Sequence, residues 1–241
     1  HILRFVSLKL CRKKYKAKQT RLEPDSSAVF LWKLTMTLPE SKHKLAHERH
    51  LARMQRKKAV IEASIDAAQT SRGLLLINTG TGKGKSTAAF GLLARSLGHG
   101  MKAVVIQFIK GRSDTGEEAF FRNAANLTWH VMGDGFTWET QNAEQDKQSA
   151  KTAWSLVCTY LQDEMIDLVI LDEFTYALKY QWLTIEEVTE ALESRPMMQH
   201  VVITGRAAPE GLITIADTVS EINLVKHAFK DGIQAMPGID W

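Results

Sequence analysis

The residues best suited to chemistry fall in one ten-residue stretch, Asn78-Thr79-Gly80-Thr81-Gly82-Lys83-Gly84-Lys85-Ser86-Thr87. Alternating glycines let a backbone turn tightly and lay its N–H groups against an anion. Lys85 adds a compact positive charge. The Ser86 hydroxyl, with Thr87 behind it, is a hard oxygen ligand for a phosphate-bound Mg²⁺. The chemistry implied is the binding of a nucleoside polyphosphate. The apolar run Leu74–Asn78 before the stretch reads as a strand, and Thr87–Leu97 after it as an amphipathic helix stopped by Gly98 and Gly100. That strand–loop–helix context distinguishes a phosphate-binding loop from a glycine-rich turn that binds nothing. A helix beginning near Ser86 contributes its positive N-terminal end. The spacing departs from G-x-x-x-x-G-K-[ST]: Thr79 stands where the first glycine belongs, and the loop counted from Gly80 is one residue short. A shorter loop leaves open which end of the polyphosphate faces an acceptor.

A second cluster is the end of Asp167-Leu-Val-Ile-Leu-Asp172-Glu173, an apolar strand terminated by two carboxylates. Ligands of open α/β sheets sit beyond the carboxyl ends of the strands, so Asp172 and Glu173 are candidates to hold Mg²⁺ opposite Ser86. The alternative is that Asp172 caps the next helix. A third is the loop Gly133-Asp-Gly135-Phe136-Thr137-Trp138-Glu139-Thr140-Gln141. Phe136 and Trp138 could pack on a flat apolar ligand or simply plug the core.

The elements that must position these groups alternate along the chain. Strands are expected at Ala103–Ile109, Thr128–Met132, Leu168–Leu171, Val201–Thr204 and Thr218–Ile222. Helices are expected at Gln141–Leu161, Thr184–Leu192 and Pro209–Ile215, the second opened by Thr184 and Glu187 as a capping box. Such alternation predicts an α/β fold of the P-loop NTPase kind, a mostly parallel sheet with helices on both faces, plus an N-terminal helix. We divide the chain into a tail, 1–40, a helical segment, 41–72, and the main domain, 73–241. Within the helical segment, Glu48–Ala68 carries a thin apolar stripe that packs on the body or on a partner subunit, or else is a solvated arm. Residues 1–35 of the tail look foreign to the rest, and Met36 is the expected natural start.

Composition narrows the classes. The formal charge is +4 and the pI near 9.0, but residues 1–21 hold eight Lys/Arg and no acid; the remainder has 23 basic against 27 acidic residues. The body therefore offers no electrostatic case for nucleic acid. No apolar run approaches the roughly 18–20 residues of a membrane span. Two cysteines, Cys11 and Cys158, outside any C-x-x-C pair, argue against a disulfide framework and fit a reducing cytoplasm; Cys158 is expected in the core.

Taken together, TGTGKGKST at Thr79–Thr87, Ala88-Ala-Phe-Gly, Arg95-Ser-Leu-Gly-His99-Gly, Val105-Ile-Gln-Phe-Ile-Lys-Gly111, Gly135-Phe-Thr-Trp-Glu-Thr-Gln141, Leu171-Asp-Glu-Phe-Thr-Tyr176, Ile203-Thr-Gly-Arg206, Ala216-Asp-Thr-Val-Ser-Glu221 and Val225-Lys-His-Ala228 resemble the P-loop type of corrinoid adenosyltransferase from about residue 48 to the C-terminus. The resemblance implies transfer of the 5′-deoxyadenosyl group of ATP to the Co(I) of cob(I)alamin or cob(I)yrinic acid a,c-diamide, with triphosphate released, in cobalamin biosynthesis or salvage. The family shares the short loop and holds the triphosphate in reverse sense. Gly80, Thr81, Gly82, Lys83, Gly84, Lys85, Ser86 and Thr87 carry over as the ATP cradle, with Lys85 and Lys83 as the catalytic cations. Ser86 stands where the family uses Thr at the metal-binding hydroxyl. Glu173, and less directly Asp172, carry over as Mg²⁺ and nucleotide residues. Phe136 and Trp138 carry over as the side chains that crowd one face of the corrin and keep its lower axial ligand away. The resemblance also implies a homodimer, with an N-terminal helix over the active site, and an external flavoprotein reductant.

With Co(I) as nucleophile, no Ser-His-Asp or Cys-His constellation is needed, and none is found. Arg95 and Arg206 are further candidate phosphate contacts, or surface ion pairs. The rivals are another P-loop NTPase or small-molecule kinase, a nucleic-acid-stimulated ATP-binding module, and a scaffold that only binds nucleotide.

Overall fold

The computed structural model describes residues 40–109, 115–132 and 143–240. The chain divides into two units, His1–Gln69 and Thr70–Trp241. In the first, α1 (Glu40–Ala67) is a single helix built from Ala, Glu, Lys, Arg and Gln, all strong helix formers. A Lys58–Glu62 pair at i, i+4 spacing, 3.5 Å apart, supports it.

The second unit runs β1 (Leu75–Thr79), α2 (Lys85–Gly98), β2 (Ala103–Gln107), α3 (Gly116–Phe121), β3 (Leu127–Val131), α4 (Ala143–Leu161), β4 (Leu168–Asp172), α5 (Thr175–Lys179), α6 (Ile185–Glu193), β5 (His200–Thr204), α7 (Glu210–Ile215) and β6 (Thr218–Glu221), then a 3₁₀ turn at Ala228–Asp231. The strands form one sheet in the order β3-β2-β4-β5-β1-β6, and every pairing is parallel. This is the expected α/β P-loop NTPase-like fold. Within this unit the expected strands and helices lie within two residues of their places, and α3, α5 and the 3₁₀ turn were not foreseen; the N-terminal helix, expected within 41–72, ends five residues sooner, at Ala67.

Central strands β2, β4 and β5 are apolar on both faces, as a sheet covered by helices on both sides requires. One face joins Ile77, Val104, Ile106, Val169, Leu171, Val201 and Ile203 to Val157 of α4, Leu192 of α6 and Leu212 of α7. The other packs Val105, Ile170 and Val202 against Ala89, Phe90 and Leu93 of α2. Thr184 caps α6 as its sequence promised: its hydroxyl accepts from the Glu187 N–H at 3.3 Å and donates to the Glu187 carboxylate at 3.0 Å. Cys158 is half-buried at the margin of the first cluster rather than within it.

Ile170, fully buried in the middle of β4, reports on this packing. Ile170→Ala is expected to lower unfolding stability by about 2–5 kcal/mol, read as a shift of the urea midpoint at unchanged slope.

Candidate nucleotide-binding site

β1 ends at Thr79, and the loop from Gly80 to Gly84 delivers the chain into α2 at Lys85. Two glycines adopt the left-handed region that other residues avoid, Gly80 at φ 102° and Gly84 at φ 111°. Gly80 has a second constraint: a Cβ there would lie 2.4 Å from the Ile222 carbonyl oxygen. The loop's outer side is sewn to the segment after β6. The Gly82 N–H donates to the Ile222 carbonyl at 2.7 Å, the Ile222 N–H to the Thr79 carbonyl at 2.8 Å, and the Leu224 N–H to the Thr81 hydroxyl at 3.3 Å. Lys83 is half-exposed and paired with Asp240, whose carboxyl this lysine holds below the usual carboxylate range. A cleft of about 370 Å³ opens between the loop and this segment, bounded by Gly82, Lys83, Leu224, His227, Phe229 and Asp240.

Lys85 is only 6% exposed, and its ammonium donates to the Gly82 carbonyl at 2.7 Å. Burial pushes its pKa below the ordinary lysine value; Glu173 and Asp172 favour the charged form, whereas Arg206 and Lys83 add to the lowering. Ser86 is half-buried and Thr87 exposed in the first turn of α2, where backbone N–H groups point out of the helix end.

Two strands away, β4 brings Asp172 and Glu173 to the same edge. Register places Gln107 of β2 beside Asp172, and pairs Leu171 with Ile203, so that Asp172 and Thr204 adjoin. Asp172 is fully buried. One carboxylate oxygen accepts from the Thr204 hydroxyl at 2.8 Å and the other from the Gln107 amide at 2.9 Å. The Gln107 oxygen accepts in turn from the Trp129 indole N–H at 3.2 Å. Asp172 is therefore not a helix cap; the residue before α5 is Phe174, with no side-chain cap. Glu173 follows with φ 56°, a left-handed conformation that costs a non-glycine residue about 1–2 kcal/mol, and its N–H donates to the Thr204 hydroxyl at 2.9 Å.

The β5–α7 connection lies between these two clusters. The Gly205 N–H donates to the Asn78 carbonyl at 3.2 Å, the Ala208 N–H to the Thr79 hydroxyl at 3.2 Å, and the Thr175 hydroxyl to the Arg206 carbonyl at 2.7 Å. Arg206 is thus presented near Lys85, whereas Arg95 stands in the last turn of α2, about 15 Å along the helix from its start, where a cation complements the helix's negative end. Phe136 and Trp138 lie outside the described residues.

The donor set suits Mg²⁺: the Ser86 hydroxyl and the Glu173 carboxylate are hard oxygens. Among the described residues no group of three or more His, Cys, Asp or Glu side chains could hold a metal ion. Sequence reading missed Gln107 and Thr204; their only local signal was a polar residue closing an apolar strand.

A glycine loop between a strand and a helix, facing an acidic strand end across a parallel sheet, defines an α/β protein of the P-loop nucleotide-binding class. The family model for ATP:corrinoid adenosyltransferase BtuR/CobO/CobP matches residues 71–241, and that for the cob(I)alamin adenosyltransferase N terminal matches residues 45–65. The corrinoid adenosyltransferase of Pseudomonas aeruginosa is 52% identical over 195 residues, covering 80% of this chain and 96% of that one. Those of Escherichia coli K12 and Salmonella typhimurium are each 44% identical, covering 82% of this chain and all of theirs. Among solved structures, domain III of the Thermotoga maritima replication initiation protein DnaA matches 68% of this chain and 61% of that one at 10% identity and a TM-score of 0.30, too slight a likeness to bear any weight. The chain belongs to the ATP:corrinoid adenosyltransferase family, enzymes that place an adenosyl group on a corrinoid.

The depressed pKa of Lys85 sets the sign of a pH effect. Between the folded value and the ordinary 10.5 the unfolded chain binds more protons, so the cost of burying this charge is present at neutral pH and relieved as pH rises through that window. Lys85→Met should therefore unfold at a higher temperature than the unsubstituted protein at pH 7, and the difference should shrink toward pH 10. An equal or lower midpoint at pH 7 would show that the loop contact outweighs burial.

Proposed function

We propose that the chain transfers the 5′-deoxyadenosyl group of ATP to the Co(I) of a corrinoid, cob(I)alamin or cob(I)yrinic acid a,c-diamide, and releases triphosphate. The cobalt lone pair forms the bond to C5′ while the C5′–O bond breaks and its electrons leave with the triphosphate; cobalt passes formally from I to III. The observation that carries this reading is the short loop with Lys85 buried beneath it, in a chain of this family. Negative charge gathers on the leaving group, so the residues that matter are those that bind and neutralise it.

In this reading Lys85, Lys83, the loop N–H groups other than that of Gly82, which the Ile222 carbonyl takes, and the positive end of α2 receive the polyphosphate. Ser86 and Glu173 would hold Mg²⁺, whose charge would further neutralise the phosphates. Fixing the polyphosphate also fixes where C5′ stands relative to the acceptor. Phe136 and Trp138 are assigned to the corrin face and to exclusion of its lower axial ligand, which makes Co(II) easier to reduce; a flavoprotein is the electron source. A homodimer working in the cytoplasm, in cobalamin biosynthesis or salvage, completes the proposal. Among the described residues no helix is long and apolar enough to cross a membrane.

Anaerobic incubation with chemically reduced cobalamin and MgATP tests the proposal. The visible spectrum should become that of the alkylated corrinoid, with one triphosphate formed per adenosyl product; ADP and phosphate as sole products would overturn it. Lys85→Ala should lose the reaction by at least about a hundredfold while keeping corrinoid binding. Phe136→Ala and Trp138→Ala should retain ATP binding, with impaired product formation from Co(II).

A further inference from the structure

The hydrogen-bonded row behind the acidic strand end has a fully determined polarity. The Trp129 indole and the Glu173 backbone N–H can only donate. The first therefore fixes the Gln107 amide with its oxygen toward Trp129 and its NH₂ toward Asp172. The second obliges the Thr204 oxygen to accept, so that the Thr204 proton goes to Asp172. Each Asp172 oxygen thus already receives a protein donor, deep in the sheet. Glu173 is different in kind: it is one residue beyond the strand, half-buried, held at φ 56°, and close enough to Lys85 to be that lysine's main opposing charge.

The Thr204 hydroxyl joins the two acids. Thr204 is fully buried at the end of His-Val-Val-Ile-Thr, where valine would fill the same volume without burying a polar atom. Resting on the nucleotide reading above, we propose that Thr204 is a positioning residue for the metal-binding carboxylate. By accepting from the Glu173 N–H while anchored to Asp172, it fixes the left-handed backbone at Glu173 and with it the direction of that side chain. Asp172 then serves as the buried anchor, and Glu173 as the acid that meets Mg²⁺. Outer partners of this kind tune metal affinity without touching the ion.

The test uses the full chain with Mn²⁺ as the probe, its uptake into the complex with ATP followed by water-proton relaxation, beside equilibrium dialysis of ATP without metal. Thr204→Val should weaken Mn²⁺ uptake about 10–100-fold, raise KM for MgATP and leave KM for the corrinoid and metal-free ATP binding unchanged. Thr204→Ser, which keeps the hydroxyl, should restore Mn²⁺ uptake. Should Thr204→Val fail to fold, Thr204→Cys, a weaker partner, should give an intermediate loss. Undiminished Mn²⁺ uptake in Thr204→Val, or a parallel loss of metal-free ATP that serine does not rescue, would overturn the assignment. If the unsubstituted protein bound no ATP, the nucleotide reading itself would fail, and this assignment with it.

Discussion

Lys85 occupies a position that an isolated protein has little reason to build. Its ammonium is nearly withdrawn from water, satisfied by one loop carbonyl, and flanked by two further cations, Lys83 and Arg206, as well as by Asp172 and Glu173 at the end of β4. Desolvating a charge is costly unless it is paired, and adding like charges raises the cost. A polyanion would reverse the balance, because several positive groups would then face several negative ones in a partly dehydrated pocket. The loop, the sheet edge and the tail after β6 can all be understood as the means of holding that one ammonium in place.

The sheet supplies the means through its strand order. With β5 between β1 and β4, the loop and the acids are separated by one strand, and the polar residues that end β2, β4 and β5 fall side by side. Their hydrogen bonds are buried and complete, which makes them rigid as well as specific. On the other side of the loop, the segment after β6 takes up the Gly82 N–H, the Thr81 hydroxyl and the Lys83 ammonium. Gly80 answers to this contact as much as to any ligand, since the Ile222 carbonyl leaves no room for a Cβ.

Much of this architecture is legible in the chain. β1, β2, β4 and β5 announce themselves as short apolar runs, and the glycine loop lies between one such run and an amphipathic helix. Thr184 and Glu187 mark the start of α6 by a local rule, and the structure obeys it. What escapes is either too short or too distant. α3 and α5 have six and five residues, less than two turns, so no periodicity can accumulate. The link from Thr204 to Asp172 spans 32 residues, and the link from Asp240 to Lys83 spans 157. Such pairs depend on strand order and register, which are properties of the folded sheet. The adenosyl acceptor is legible for another reason: the combined motifs resemble one family, and residues 71–241 match it.

The central claim is that the polyphosphate is gripped so that carbon, and not phosphorus, meets the nucleophile. The most direct measurement uses ATP carrying oxygen-18 in the bridge between C5′ and the α-phosphorus, with reduced cobalamin as acceptor and mass spectrometry of the released polyphosphate. If the C5′–O bond is the one that breaks, the heavy oxygen leaves with the triphosphate. Heavy oxygen retained on the nucleoside product would mean that a phosphorus–oxygen bond breaks instead, and would contradict the account.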